Sequence, residues 1–315
     1  MTIVDIAKES GYSVTTVSRV LNNRQDVSPA AKETIMKIVE AHNFVPNTNA
    51  NMLFANIVEE IQSIIDRTDY SLSITYLDED SNLSSVTDRI CRERKPLGII
   101  FLGGSREDFS EDTSSFKVPC VIVTTSAENW SMEELSSVSI DDEKAGETIV
   151  DYLIDHGHTK IAEIGANLEL SQTAILRHNG YLNSFKKHGI TPDERYYEKA
   201  RFSYDSAYHA MKKLLEKDIE ITAIYAISDV MAIGAIRAIL DKGLRVPDDI
   251  SITGFDGSTL AEYYNPKIVS IRQPHKDMAA HSVELLFSMI DLHKGSCHEI
   301  IPFELTEGES VARIN

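Results

Sequence analysis

The chain has 315 residues, of which 42% are hydrophobic and 25% are charged, and its formal net charge at pH 7 is −18. This length is enough for two or three domains with real cores, and no run approaches the ~18 apolar residues of a membrane-spanning helix. The chain does not open with the charged-then-apolar order of a signal peptide, so we expect a cytoplasmic protein with no membrane partner.

The negative charge is unevenly distributed. Residues 1–50 hold five Lys or Arg and five Asp or Glu, so the whole of the −18 lies in residues 51–315. The acidic part should repel DNA, which leaves the neutral amino-terminal segment as the candidate for contact with nucleic acid. A segment without net charge attracts DNA less strongly than the basic stripe that DNA-binding domains usually carry.

Two short helical patterns separated by a turn open the chain. The spacing of Ile3, Ile6 and Ala7 gives the first helix an apolar face, Gly11 breaks the pattern, and Ser13 can cap a second helix. Short polar side chains and one Arg face outward from that helix, which is typical of a helix-turn-helix that enters the major groove. The alternative is a three-helix bundle with a solvated polar face. The residues predicted to contact DNA are Thr2, Ser13, Val14, Thr15, Thr16, Ser18, Arg19 and Asn22.

A third helix completes this head. Ser28 as cap and Pro29 at the first helical position start it, and its apolar spacing continues to about Asn43. Phe44 and Val45 can then close a small core with the first two helices. A head of this size is at the lower limit for a core that is stable alone.

The opening sequence contains the phrases Asp5-Ile6-Ala7, Ser10-Gly11, Ser13 and Thr16-Val17-Ser18-Arg19-Val20-Leu21-Asn22. With these residues it resembles the amino terminus of the lactose/galactose repressor family of bacterial transcription factors, in which Val is usual at the position of Tyr12. The resemblance implies a regulator that binds double-stranded operator DNA, a pseudo-palindrome, as a homodimer.

We predict three parts: a helix-turn-helix domain (1–46), a shortened linker (47–53) and a two-lobed ligand-binding and dimerisation domain (54–315). In the resembled family a hinge helix and the first core strand follow the head, whereas here Asn51–Ile61 already has the pattern of the first core helix. Either the protein lacks that strand, or an internal segment is missing from the sequence. We favour the second explanation, because a parallel sheet without an inner strand exposes backbone groups and apolar faces.

From residue 57 onward, predicted helices and strands alternate in two similar halves, which is typical of parallel α/β sheets. The predicted strands are 71–77, 97–102, 120–125, 137–140, 160–164, 223–226, 250–253, 268–271 and 300–303. The predicted helices include 146–155, 173–188, 206–216, 230–241 and 276–293. We therefore expect an α/β fold: a small all-α head followed by two lobes of doubly wound parallel sheets, like a periplasmic binding protein, with a ligand cleft at the carboxyl ends of the strands.

The family resemblance continues through this core, in phrases such as Arg177-x-x-Gly180-Tyr181, Ser228-Asp229-x-Met231-Ala232 and Gly254-Phe255-Asp256. It implies that Arg177, Asp229 and Asp256 bind the effector. A forked donor and two carboxylates suit a sugar, whose hydroxyls both donate and accept. For the two carboxylates the alternative is a helix cap or a salt bridge.

Three further positions carry predictions about the ligand. Phe202 matches an aromatic residue that stacks on the ligand in the family, but Tyr204 is close enough to take that part, and a core aromatic is the alternative. Thr124 stands where lactose-type members carry an acid, so their sugar preference does not transfer directly. Galactose or a galactoside is expected on general resemblance alone.

Other candidate sites are weaker. His156-Gly157-His158 lacks a third metal ligand and is better explained by a helix end. Gly103-Gly104-Ser105 fits a tight turn better than a phosphate cradle, and Asp141-Asp142-Glu143 cannot flank a bond as catalytic acid pairs do. The three cysteines lie far apart without metal spacing. We predict no catalytic residue, metal or cofactor.

The prediction from sequence is a repressor of a carbohydrate-utilisation operon, controlled by a small sugar bound between the lobes. One alternative is a plain sugar-binding protein, as in periplasmic uptake systems. Another is a sugar-processing enzyme, which the lack of a catalytic constellation disfavours.

Overall fold

The chain divides into two compact units, Met1–Ala50 and Asn51–Asn315. The computed structural model describes residues 3–13, 16, 17, 20, 27–41, 52–77, 83–109, 118–130, 132 and 134–314. Each unit is considered by itself.

The first unit is the predicted helical head. Its described elements are α1 (Ile3–Ser10), a second helical stretch at residues 16, 17 and 20, and α2 (Pro29–Ala41). Ser13 caps the second stretch, because its hydroxyl accepts the N–H of Thr16 at 3.1 Å. Ser28 caps α2 through the N–H of Ala31 at 3.3 Å, so both predicted caps are confirmed. The buried core consists of Ile6, Ala7, Val17, Val20 and Ile35.

The predicted helix end at Asn43 and the predicted core residues Phe44 and Val45 lie outside the described residues.

The amino lobe of the second unit is built on a four-stranded parallel sheet with strand order β1-β2-β3-β9. Its elements are α3 (Met52–Ile65), α4 (Leu83–Arg94), β1 (Ile99–Leu102), β2 (Cys120–Val123), β3 (Leu135–Ser139), α10 (His275–Leu292) and β9 (His298–Ile300). Helices α3 and α10 pack on one face of the sheet through apolar side chains such as Ile57, Val121 and Met278. A second apolar cluster around Phe109 and Trp130 covers the other face.

The carboxy lobe is built on a six-stranded sheet with strand order β10-β8-β7-β6-β4-β5, in which only the β10–β8 pair is antiparallel. Its strands are β4 (Ile161–Gly165), β5 (Tyr197–Lys199), β6 (Ala223–Ala226), β7 (Ser251–Asp256), β8 (Val269–Arg272) and β10 (Glu304–Thr306). Its helices are α5 (Asp142–Asp155), α6 (Gln172–Lys187), α7 (Tyr204–Glu216), α8 (Asp229–Asp241) and α9 (Thr259–Tyr263). The large buried core of this lobe includes Ile149, Ile164, Tyr225 and Phe255.

The chain passes between the lobes three times, after β3, after β8 and after β9. These crossings account for one wrong prediction. Residues 300–303 were expected to form one strand, but the chain instead ends β9 at Ile300 and begins β10 at Glu304 in the other lobe. Pro302 lies between them and has no N–H to donate to a ladder, which is consistent with the break.

The predicted strand at residues 71–77 is also wrong. This segment has no strand pairing, and residues 73–77 are exposed. A strand needs a neighbour for its backbone groups, and no described residues form a strand before α3 with which residues 71–77 could complete a β-α-β unit. Strand β1 is consequently an edge strand of the amino lobe.

Candidate functional site

The described residues of the head include only part of the predicted DNA-contacting surface. Ser13 is exposed, Thr16 is partly exposed, and their hydroxyl oxygens lie 2.9 Å apart. Thr2, Val14, Thr15, Ser18, Arg19 and Asn22 lie outside the described residues. Because Val17 and Val20 are buried in the core of the head, the second helical stretch has the apolar side that the helix-turn-helix interpretation requires.

In the second unit, Arg177 is the centre of a buried polar cluster. Its Nε donates to Asp142 Oδ1 at 2.7 Å, and its Nη1 donates to the Ile227 carbonyl at 2.6 Å. Asp256 Oδ1 lies 3.9 Å from the same Nη1, and the guanidinium carbon lies 3.5 Å from the centre of the Phe255 ring. The planar, forked guanidinium satisfies several partners at once, and a lysine could not do the same.

The two predicted carboxylates lie at the ends of neighbouring strands, with Asp256 beside this arginine and Asp229 close to Asp256. Asp256 is the last residue of β7, and Asp229 is the first residue of α8, just after β6. Asp229 accepts the Ser258 N–H and the Ser270 hydroxyl, both at 2.6 Å. The helix cap is Ser228 and not Asp229. Burial raises the pKa of Asp229 to about 6 and the pKa of Asp256 to about 7.

Two residues that were not predicted to bind the effector complete the cluster. Asp142 begins α5, directly after the first crossing between the lobes, and burial raises its pKa although Arg177 opposes that shift. Gln273 lies in the second crossing and donates its side-chain N–H to Asp256 Oδ1 at 2.9 Å. From the sequence alone, Asp142 is only one of three adjacent acids, for which a catalytic role is rejected. Asp142 follows the carboxyl end of β3, just as Asp229 and Asp256 lie at the carboxyl ends of their strands.

Thr124 and the two aromatic candidates have different surroundings. Thr124 follows β2 of the amino lobe, is buried and has a φ of 74°, and no described contact joins it to the arginine cluster. Phe202 packs against the core of the carboxy lobe. This environment matches the alternative interpretation of Phe202 as a core aromatic residue. The pKa of Tyr204 is raised by burial and by the charge of Asp229, which places Tyr204 near the cluster.

Hydrogen bonds join the two lobes near this cluster. Gln172, at the start of α6, donates its side-chain N–H to the Ser126 carbonyl at 3.0 Å and accepts the Trp130 indole N–H at 3.2 Å. Ser126 and Trp130 follow β2 in the amino lobe. Arg177, Asp229 and Asp256 are only 3%, 1% and 7% exposed, so a ligand can reach them only if the lobes move apart or the cluster rearranges.

The weaker candidates have structural explanations. Helix α5 ends at Asp155, Gly157 follows with a φ of 96°, and the His158 ring nitrogens lie 3.1 Å from the Thr222 hydroxyl and 3.0 Å from the Ala312 carbonyl. The Asp108 carboxylate accepts hydrogen bonds from both the N–H and the hydroxyl of Ser105. A side chain from the same loop therefore already binds these donors of the glycine turn. No group of His, Cys, Asp or Glu among the described residues could hold a metal ion, and no helix in that part of the chain is long and apolar enough to cross a membrane.

Comparison with known sequences identifies both units. Residues 2–47 match the lacI family of bacterial regulatory proteins, and residues 150–311 match the periplasmic binding protein-like domain. The HTH-type transcriptional regulator MalR of Clostridium butyricum is 35% identical over 338 residues, covering 100% of both chains. Catabolite control protein A of Priestia megaterium is 31% identical over 91% of both chains. Because the first alignment extends over 338 residues and this chain has 315, the relative has residues without a counterpart here.

Solved structures share the fold over nearly the whole chain. A complex of the transcriptional regulator CelR with cellobiose is 25% identical with a TM-score of 0.74, covering 98% of this chain and 99% of that chain. The lac repressor dimer bound to operator and the anti-inducer ONPF is 24% identical, with a TM-score of 0.72 and 99% coverage of both chains. The prediction of a helix-turn-helix head on a two-lobed core is confirmed. The chain belongs to the lacI family of bacterial regulatory proteins and is a DNA-binding transcriptional regulator.

Proposed function

We propose that this regulator is a cytoplasmic repressor of a carbohydrate-utilisation operon and that a small sugar bound between the core lobes controls its affinity for DNA. The observation that carries the proposal is the buried cluster of Arg177, Asp142 and Asp256 at the strand ends beside the crossings between the lobes. A site that combines forked donors with carboxylate acceptors matches the hydroxyls of a sugar. The relative in complex with cellobiose supports a sugar as the class of ligand.

In this proposal the sugar displaces part of the internal pairing of the cluster. Arg177, Asp229 and Asp256 would hydrogen-bond to sugar hydroxyls, and Tyr204 or Phe202 would pack on the ring. Thr124 would face the ligand from the amino lobe. The sugar's hydroxyls would then replace bonds that Arg177 makes to Asp142 and to the Ile227 carbonyl. Cellobiose, galactose and lactose are the first sugars to test.

The head would bind DNA as part of a homodimer. Residues 1–46 would form the DNA-binding domain, 47–53 the linker and 54–315 the sensor and dimerisation domain. The second helix would enter the major groove with Val14, Thr15, Thr16 and Arg19 nearest the bases. Arg19 could contact a guanine in a bidentate manner, worth about 1–3 kcal/mol of discrimination. Two heads related by a two-fold axis would bind a pseudo-palindromic site.

Selection of duplexes from a randomised library with the full chain tests the DNA part of the proposal. We expect a palindromic consensus whose affinity falls as the salt concentration rises, because binding to phosphates releases counterions. Arg19→Ala should relax the preference at one base pair of each half-site. An enriched pool without two-fold symmetry, or equal affinity for the selected and random duplexes, would refute it.

A further inference from the structure

A glutamate lies in the middle of β4, whose other residues are apolar or glycine. Glu163 on β4 pairs in register with Tyr197 on β5 and Tyr225 on β6, so the three side chains are neighbours on one face of the sheet. The Glu163 side chain is only 1% exposed, and Tyr225 is fully buried. A buried carboxylate is costly unless a cation or several donors compensate its charge.

His178 on α6 is the charged partner of this carboxylate. Its Nδ1 lies 2.6 Å from Glu163 Oε2, and 21% of its side chain is exposed. The other carboxylate oxygen, Glu163 Oε1, and the Tyr225 hydroxyl are buried without a hydrogen-bond partner. No other cation in the described part of the chain contacts Glu163, so the charge of the carboxylate is compensated only when His178 carries a proton.

Among the described residues, Glu163 is the only anionic partner of His178. Tyr197 on β5 meets the imidazole edge-on at 5.2 Å, and Tyr181 on α6 stacks on it at 6.0 Å. Burial raises the pKa of both phenols, and of Tyr225 on β6, so all three tyrosines remain neutral across the physiological range. The titration of this site is therefore that of the imidazole and the carboxylate together.

The pKa values of His178 and Glu163 are both raised on folding, so the pair binds protons more tightly in the folded protein than in the unfolded chain. Burial alone would lower the pKa of His178, but the hydrogen bond and the charge of Glu163 outweigh that effect and raise it. Burial raises the pKa of Glu163 although His178 opposes the shift. Since the folded state binds more protons than the unfolded state, the stabilisation by the pair is present below about pH 6.5 and is lost as the pH rises through the folded pKa of His178.

The pair is adjacent to the candidate effector site. His178 directly follows Arg177 in α6, so two successive side chains attach this helix to the lobe. Arg177 binds Asp142 of α5 and the Ile227 carbonyl at the end of β6, and His178 binds Glu163 of β4. Loss of the contact between His178 and Glu163 would therefore loosen the same turn of α6 that carries the Arg177 guanidinium.

We propose that Glu163 and His178 are positioning residues that hold α6, and with it Arg177, against the sheet while His178 is protonated, and that this hold weakens as the pH rises. The consequence for effector affinity rests on the proposed function of Arg177. The consequence for α6 does not, because it concerns the ligand-free protein.

Hydrogen–deuterium exchange of the full chain tests the positioning role without a ligand. Protection factors for residues 172–187, corrected for intrinsic exchange, are compared at about pH 6 and about pH 8.5, on either side of the ordinary histidine pKa. We expect protection of α6 to fall by about tenfold in the wild type, on the order of the contribution of one hydrogen bond to a charged group. Glu163→Gln keeps a hydrogen bond to either form of the imidazole and carries no charge, so its α6 should show the same protection at both pH values.

Asp205→Asn provides the matched control. Asp205 and His209 on α7 form another carboxylate–histidine pair, 3.5 Å apart, but their side chains are 88% and 61% exposed. This variant should behave as the wild type does at both pH values. If protection of α6 does not depend on pH in the wild type, or depends on it equally in Glu163→Gln, the proposal is overturned.

Calorimetric titration with cellobiose, galactose and lactose provides the second measurement. The wild type should bind its sugar about tenfold more weakly at the higher pH. Glu163→Gln should bind the same sugar with equal affinity at both pH values. Unchanged affinity in the wild type would overturn the link between the pair and Arg177. If none of these sugars binds at either pH, the proposed function fails, and the exchange experiment still decides whether Glu163 and His178 hold α6.

Discussion

Asp256 combines two costly features at one residue. Its carboxylate is buried beside Arg177, and its backbone has a φ of 112°, in a region that favours glycine. Thr124, at the end of a strand in the other lobe, has a φ of 74°. Strained backbone of this kind costs on the order of 1–3 kcal/mol and is concentrated at functional sites. The proposed ligand-binding role of Asp256 would account for a residue that keeps both features at the expense of stability.

Asp256→Asn tests this trade-off through its pH dependence. Burial raises the pKa of Asp256 from 3.8 to about 7, so the folded state binds the proton more tightly and wild-type stability is lost as the pH rises through this range. Urea unfolding at a series of pH values should show the variant becoming more stable than the wild type, by on the order of 2 kcal/mol near pH 7. The exposed Asp205→Asn is the control. A difference that shrinks with rising pH would contradict the account.

Arg177→Lys tests the need for a forked donor. A lysine cannot bind Asp142, reach the Ile227 carbonyl and stack on Phe255 at once, so we expect a loss of about 3–5 kcal/mol in the free energy of unfolding. Arg195→Lys, in a surface pair with Asp193, should leave that free energy unchanged. Equal effects of the two substitutions would show that the Arg177 cluster does not contribute to stability.

Arg177, Asp229 and Asp256 are predicted from the family resemblance. Asp229 and Asp256 lie close together because parallel strands bring their carboxyl ends to one edge of the sheet, whereas Arg177 reaches Asp256 from within α6. Asp142 was not recognised, because its partner Arg177 is 35 residues away in the sequence and nothing local indicates the pairing. The same is true of Glu163 and His178, whose contact depends on the packing of α6 on β4.

At the scale of elements, the contact between α5 and α6 sets the position of Arg177. A Cβ at Gly146 of α5 would lie 2.6 Å from the Arg177 carbonyl oxygen, and a Cβ at Gly180 of α6 would overlap the backbone of α5. The two glycines therefore allow the helix backbones to approach closely. This close packing holds the guanidinium over Phe255.

Gly146→Ala should displace α6 and weaken both folding and sugar binding. Overpacking of this kind costs typically about 1–3 kcal/mol, which outweighs the better helix propensity of alanine. Thermal unfolding and calorimetric titration with cellobiose measure the two effects. Gly295→Ala is the control, because a Cβ there meets nothing within 4 Å. A Gly146→Ala protein as stable as Gly295→Ala would refute this role of the helix contact.

Apolar runs and helix caps predict most helices and strands of the core. The predicted ends of these elements differ from the observed ends by a few residues. The exceptions have physical reasons. Strand β5 (Tyr197–Lys199) is a short edge strand without apolar alternation, so its sequence carries no strand signal. Residues 71–77 carry the signal but form no strand, because pairing requires a neighbour that local sequence does not specify. Among the described residues β1 has a strand partner on one side only, and the origin of the shortened segment before α3 stays a prediction.

At the scale of the whole molecule, Gln172 connects the two lobes of the core. Its two hydrogen bonds reach Ser126 and Trp130 across the cleft. Trp130 is the single tryptophan of the chain and is 4% exposed. Its fluorescence therefore reports whether the lobes are closed.

Gln172→Ala should shift the lobes toward an open arrangement. Each lost hydrogen bond is worth about 1 kcal/mol, so the equilibrium should change by about tenfold or more. We expect a red-shifted tryptophan emission and stronger quenching by acrylamide than in the wild type. Gln62→Ala, on the surface of α3, is the control. Identical emission and quenching in all three proteins would show that Gln172 does not hold the lobes together.

The central claim is that a sugar in the core changes the affinity of the head for DNA. The most direct measurement is the dissociation constant of the full chain for its selected palindrome, with and without a sugar whose binding calorimetry has established. We predict a change of about 5- to 150-fold, the usual range of allosteric coupling, and loss of that change in Arg177→Lys. An operator affinity that is the same with and without saturating sugar would contradict the account.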